Sequence, residues 1–101
     1  MAADESAGSD AASAEPISVL ADLVARHRPD SRRLRYLIGL LTEEPLDLAA
    51  LVERSALPRQ TVQAVLSAAA GDLIRDAGQA AIQPDRVQAY RQRFEIGRAH
   101  V

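Results

Sequence analysis

Few side chains in this sequence have the type and spacing that chemistry needs. It contains no Cys, so disulfides, thiolate metal sites and Cys nucleophiles are excluded together, and nothing points to an oxidising compartment. His27 and His100 are the only histidines. His100 falls in a terminal stretch that reads as foreign (below), which leaves no His pair for metal or acid–base work, and His27 reads as a residue at a helix C-terminus meeting the last carbonyls. Glu43, Glu44 and Asp47 gather carboxylates around Pro45. Adjacent acids around a proline are usually solvated turn residues, and no second ligand set accompanies them. There is no Gly-rich phosphate loop, no GxGxxG and no Ser-His-Asp set. The expectation is a chain that is not itself catalytic and binds neither metal nor cofactor.

What remains is hydrogen-bond donors and positive charge. Arg59, Gln60, Gln63 and Ser67 follow Pro58 at helical spacings, and Arg75 lies beyond them. On the leading end of a helix placed in a major groove, Arg59 could fork onto a guanine and Gln60 or Gln63 onto an adenine. One Arg is a thin supply of charge, because non-specific affinity grows with each phosphate neutralised. Arg75 adds one more, with Asp72 and Asp76 expected to oppose it. A denser set, Arg26, Arg28, Arg32, Arg33 and Arg35, flanks Pro29. It reads either as a contact for phosphate or an acidic partner, or as the solvated face of two amphipathic helices, which charge runs usually are.

These residues need elements to hold them. Pro16 opens PISVLADLVARHR, where Ile17, Leu20 and Val24 recur at helical spacing until Pro29. Asp30 or Ser31 then caps SRRLRYLIGLLTEE, whose Leu34, Leu37, Ile38 and Leu41 form one apolar stripe. A short strand is expected at Leu46, before Asp47 caps a short helix carrying Ala50, Leu51 and Val52. Ser55-Ala56-Leu57 is a tight connection without the Gly often found there. Pro58 starts a further helix with Val62, Val65 and Leu66 inward, and Gly71 offers a left-handed stop. Two short helices joined by a three-residue turn make a helix-turn-helix. Leu73-Ile74 and Ala80–Ile82 around Asp76-Ala77-Gly78 read as a β-hairpin, and Asp85 caps a last helix with Val87, Tyr90 and Phe94 inward. The outward Ala64, Ala68 and Ala69 permit close approach of a partner helix, including that of a second copy.

Composition sets the frame. The 101 residues suit one domain, and 48% are hydrophobic but only three are aromatic, so Leu, Val, Ile and Ala must build the core. The fold class expected is mainly α with a small β-hairpin. All twelve basic residues are Arg, with no Lys and no Asn beside twenty Ala, the bias of a high-GC bacterial genome. Residues 1–15 hold four acids and no base and read as a disordered leader, leaving residues 16–94 with a net charge of +2. No apolar run approaches the roughly 20 residues of a membrane span, and the acidic start lacks the plan of a secretory signal, so the cytoplasm is expected. The last seven residues, EIGRAHV (95–101), back-translate without strain to an adapter oligonucleotide used in short-read sequencing libraries. They read as foreign, with the natural protein continuing past Phe94.

Taken together, residues 16–94 resemble a winged helix-turn-helix domain. More narrowly, LLTEEPLDLAALVERSALP followed by DLIRDAGQAAIQPDRVQAYRQRF is similar to the N-terminal domain of the branched-chain polyamine synthases (bis-aminopropyl spermidine synthases), over residues 30–94. In that family the winged helix precedes a Rossmann-like domain that transfers aminopropyl groups from decarboxylated S-adenosylmethionine to spermidine. The resemblance implies an accessory domain whose partner is a downstream catalytic domain missing from this chain, with a role in dimerisation or in covering the active site. None of the catalytic domain's acidic motifs is present, so no catalytic or cofactor-binding residue is implied. The alternative is a DNA-binding transcriptional regulator using Arg59, Gln60, Gln63, Ser67 and Arg75.

Overall fold

The computed structural model describes residues 15–96. The leader expected over 1–15 and the foreign tail expected over 95–101, His100 included, lie outside the described residues except for Glu15, Glu95 and Ile96. The described chain is mainly α with a small three-stranded antiparallel sheet. It runs α1 (Pro16–Arg26), α2 (Ser31–Glu43), β1 (Leu46–Asp47), α3 (Leu48–Ser55), α4 (Arg59–Ala68), β2 (Leu73–Asp76), β3 (Gln79–Ile82) and α5 (Val87–Arg93). Three 3₁₀ turns, Arg28–Asp30, Ala70–Asp72 and Pro84–Arg86, join them. None of its helices is long and apolar enough to cross a membrane.

Helix α1 begins where Pro16 needs no donor and the Glu15 carbonyl accepts from the amides of Ser18 and Val19, at 2.9 and 3.1 Å. It ends as expected: the His27 ring Nδ1 lies 3.0 Å from the Leu23 carbonyl. Helix α2 is the centre of the core, with Leu34, Leu37, Ile38 and Leu41 all at 0% exposure. Full burial of each such side chain contributes about 1.5–3 kcal/mol before conformational entropy is charged against it. Around α2 stand α1 with Leu20 and Leu23, α3 with Leu51, and α5 with Tyr90, followed by Phe94, while Val62, Val65 and Leu66 join the same core from α4, which packs on α1 and α3.

Capping follows the sequence at one helix and departs from it at three. The Asp47 carboxylate accepts from the Ala50 amide at 2.8 Å and starts α3. Asp30 makes no such bond at α2; its carboxylate lies 3.5 Å from Arg33 instead. Asp85 does not cap α5, because a 3₁₀ turn leads into that helix and supplies a backbone bond from the Arg86 amide to the Gln83 carbonyl at 2.8 Å. Gly71 is not a left-handed stop. Helix α4 ends earlier, at Ala68, and Gly71 sits in the following 3₁₀ turn. A Cβ there would lie 3.3 Å from the Pro16 ring, so what the position requires is room for the start of α1.

The left-handed backbone occurs at Ala56 (φ 60°), Ala77 (φ 52°), Glu95 (φ 56°) and Gly78 (φ 79°). Ala77 and Gly78, both at positive φ, form the two-residue loop between β2 and β3, the signature of a type I′ hairpin turn. Ala56 closes α3, its amide bonded to the Val52 carbonyl at 3.0 Å, and it is exposed. A side chain in this conformation costs about 1–2 kcal/mol, part of which Gly gives back through the entropy of the unfolded chain. Ala56→Gly should therefore raise stability by about 0.5–1 kcal/mol, measured as a higher urea midpoint at unchanged slope. An unchanged or lower midpoint contradicts this account of the turn.

The strands lie in the order β1-β3-β2. Leu46 pairs with Ala80, and Leu73, Ile74, Arg75 and Asp76 pair with Ile82, Ala81, Ala80 and Gln79. Alternation along the strands sends Leu73, Ala80 and Ile82 into the core and turns Ile74, Asp76, Gln79 and Ala81 to the other face. Ile74 is left 46% exposed.

Candidate functional site

The outward side of α4 is made by the residues that its inward stripe leaves over. Val62, Val65 and Leu66 are buried, whereas Arg59, Gln60, Gln63, Ala64 and Ser67 are exposed. Arg59 and Gln63 are four residues apart, as are Gln63 and Ser67, so they share one face. Ala69 was expected on that outward side and is fully buried, because the chain turns inward as α4 ends. Of the three alanines expected there, Ala64 faces out and Ala68 does so in part, and Ala70 beyond them is exposed. Pro58 precedes the helix without a side-chain cap, so the first amides of α4 point outward with the positive end of the helix dipole.

The structure brings three of the five sequence-selected residues to one place. Gln63, Ser67 and Arg75 line a shallow depression with Leu48, Leu66 and Ala70. Arg59 and Gln60 stand at the opposite, leading end of α4. Among the described residues neither Arg59 nor Arg75 has an ion-pair partner. The expected opposition to Arg75 does not occur. Asp76 is its neighbour on the strand and faces the other side of the hairpin. Asp72 is turned away too, accepting the Tyr90 hydroxyl at 2.7 Å and lying 3.4 Å from Arg86 Nε. Arg86 also lies 3.8 Å from the Glu15 carboxylate.

This cluster ties the start of α1 to the turn before β2 and to α5. Burial, the hydrogen bond to Asp72 and the negative charge of Asp72 together raise the Tyr90 pKa well above the ordinary tyrosine value. All three favour the neutral phenol. Tyr90 is fully buried, so its hydroxyl serves the fold and is not offered to a substrate.

A second feature was missed in the sequence. A groove of about 380 Å³ opens between the C-terminal end of α2 and the outer face of the hairpin. Leu41, Ile74, Ala81, Ile82 and Val87 give it an apolar floor, and Glu43, Glu44 and Asp76 give it an acidic rim. No basic residue lines it. The alternation of the strands could have revealed it: Leu73 and Ile74 are adjacent in one strand, so both cannot enter the same core.

No protein family, no curated protein and no solved structure was found to match the chain.

Proposed function

We propose that this chain is a non-catalytic winged-helix interaction domain, serving as the accessory domain of an enzyme of the aminopropyltransferase type. The observation that carries the reading is the character of the α4 face. It is exposed and polar, yet holds one cation, Arg59, before the alanines begin. Such a face suits packing against a protein surface better than neutralising phosphates. The winged-helix assignment is supported by the succession of helices α1 to α4, the strand before α3, the hairpin and the closing helix, and by the β1-β3-β2 order. The loop of the hairpin is the short, uncharged pair Ala77-Gly78, so it has no cation with which to hold a DNA backbone. The enzyme class rests on the resemblance carried by LLTEEPLDLAALVERSALP and AYRQRF.

Duplex DNA is the second reading, favoured by the convergence of Gln63, Ser67 and Arg75 and by the diversion of Asp72 and Asp76 away from Arg75. Anisotropy of a labelled duplex, titrated with the full chain at several salt concentrations, separates the two. The accessory reading expects no salt-dependent binding. The DNA reading expects a linear fall of affinity with salt, and Arg59→Ala then costs about 1–3 kcal/mol at a single base position. Genomic sequence past Phe94 gives an independent check: a Rossmann-like domain supports the accessory reading, and a stop or a ligand-sensing domain supports the regulator.

A further inference from the structure

The β2 edge of the sheet is open. In the order β1-β3-β2 the last strand pairs on one side only, with β3. The two-residue loop decides which of its backbone groups that pairing uses. Asp76 and Gln79 flank the loop and exchange both bonds, and the pattern then alternates along the strand, so Ile74 bonds Ala81 while the backbone groups of Leu73 and Arg75 point away from β3. Two bonds at the start of the strand agree with this phase. The Asp72 carbonyl accepts from the Gln83 amide at 2.9 Å, and the Leu73 amide is turned back to the Ala70 carbonyl. The N–H and C=O of Arg75 and the C=O of Leu73 are left, and no other backbone group among the described residues meets them.

So short an edge offers few main-chain bonds, and the side chains beside them decide what fits. From Ile74 to Asp76 the strand is exposed, and alternation gives it two unlike faces. On one face Ile74, 46% exposed, and Asp76 belong to the apolar groove, whose rim of Glu43, Glu44 and Asp76 is acidic. On the other, Arg75 stands in the depression with Gln63 and Ser67 and has no ion-pair partner among the described residues. A strand laid antiparallel along β2 meets these side chains one by one: it suits the edge when it sets a cation opposite Asp76, an acid opposite Arg75 and an apolar side chain opposite Ile74.

A second copy of β2 lacks that pattern. The antiparallel register that sets Ile74 against its counterpart also sets Asp76 against Asp72 and Arg75 against Leu73, which brings two anions together and leaves Arg75 without an acid. The register that sets Arg75 against its counterpart places cation on cation. Like charges directly opposite across a strand pair destabilise it.

We propose that the open edge of β2 takes up an extended segment of another protein as a further antiparallel strand, and that this segment carries a cation, an acid and an apolar side chain in succession. Sheet extension of this kind draws affinity from main-chain bonds and specificity from pockets for alternate side chains, and here the groove and the depression are those pockets. The surface uses the hairpin and the end of α4 but neither Arg59 nor Gln60. It goes beyond the accessory reading, because it does not depend on which enzyme the domain serves.

The test is an NMR titration of the full, isotope-labelled chain with the blocked hexapeptide Thr-Val-Lys-Glu-Val-Thr, whose Lys, Glu and second Val fall opposite Asp76, Arg75 and Ile74. Saturable binding is expected with a Kd below about 1 mM, with shifts centred on the amides of Leu73 to Asp76 and slower hydrogen exchange at the Arg75 amide. The same peptide N-methylated at its Glu, whose amide would bond the Arg75 carbonyl, should bind at least about tenfold more weakly. Exchanging its Lys and Glu should weaken it by about tenfold. Arg75→Pro removes an amide that faces away from β3, where an edge strand tolerates proline, and should abolish binding by a chain that circular dichroism shows to be folded. Arg75→Glu should reject the original peptide and take one with Lys in place of Glu, a swap that misfolding cannot imitate. A Kd above about 1 mM, shifts away from β2, or an N-methylated peptide that binds as well as the original overturns the proposal. So does a wild type that is dimeric in sedimentation equilibrium and made monomeric by Arg75→Pro, because the edge then belongs to a second copy.

Discussion

Above pH 10 the folded chain is expected to lose stability through Tyr90, at up to about 1.4 kcal/mol per pH unit, and Tyr90→Phe should remove that dependence. The sign follows from the cluster around Asp72. The folded pKa of Tyr90 is raised by burial and by its bond to Asp72. In the unfolded chain the phenol titrates near about 10. Between those two values the unfolded state has already released a proton that the folded state retains, so rising pH draws the chain towards unfolding. Below pH 10 both states hold the proton and the contribution is fully present. Tyr90→Phe should cost about 1 kcal/mol at neutral pH for the lost hydrogen bond, and leave Asp72 with Arg86. Tyr90→Ala removes the whole ring from a fully buried position and should cost about 3–5 kcal/mol. Urea unfolding of the three proteins at a series of alkaline pH values checks both statements. A wild type and Tyr90→Phe variant that lose stability in parallel above pH 10 would show that Tyr90 does not carry the effect.

Leu37→Ala should destabilise by about 2–5 kcal/mol. Leu37 lies at 0% exposure on the helix around which the others pack. A cavity there opens within the buried stripe of α2, and a domain of this size has only about 5–15 kcal/mol to lose. Leu48→Ala is the useful contrast, since Leu48 packs against the core only in part and should cost clearly less. Urea midpoints that fall equally for the two would refute the central place given to α2.

The apolar stripe of α2 was legible because 3.6-residue periodicity depends only on which residues repeat, and Leu34, Leu37, Ile38 and Leu41 repeat without interruption. The hairpin was legible from its turn, read at Asp76-Ala77-Gly78, although Asp76 proves to be the last paired residue of β2 and the loop only Ala77-Gly78. The cap at Asp47 could be read for the same reason: a carboxylate three residues before a free amide is a local device. The failures were equally physical. The 3₁₀ turns before α2 and α5 are backbone solutions to helix starts, and the sequence around Asp30 and Asp85 does not distinguish them from side-chain caps. Gly71 could be read as a conformational requirement because its real requirement, space for Pro16, belongs to a residue far away in the chain. The α4 face was legible residue by residue, but the company of Arg75 was not. Where Asp72 points is decided by Tyr90 and Arg86, on a helix and turn that come later. The groove was hidden because it exists only where the end of one helix meets the back of a hairpin.

The cluster of Glu15, Asp72, Arg86 and Tyr90 also governs when the domain can fold during synthesis. It joins the first described residue to the last helix, and the core beneath it places α5 against α1 and α2. A chain emerging from the ribosome can form α1 to α4 and the hairpin before α5, since the contacts of α1 with α4 and of α2 with β3 do not involve that last helix. It cannot give Asp72 its Tyr90 and Arg86 partners, or cover α1 and α2 with α5, until that last helix has cleared the exit tunnel. Until then it holds an open apolar seam and an unpaired carboxylate, so completion is a single late event and does not proceed by gradual accretion.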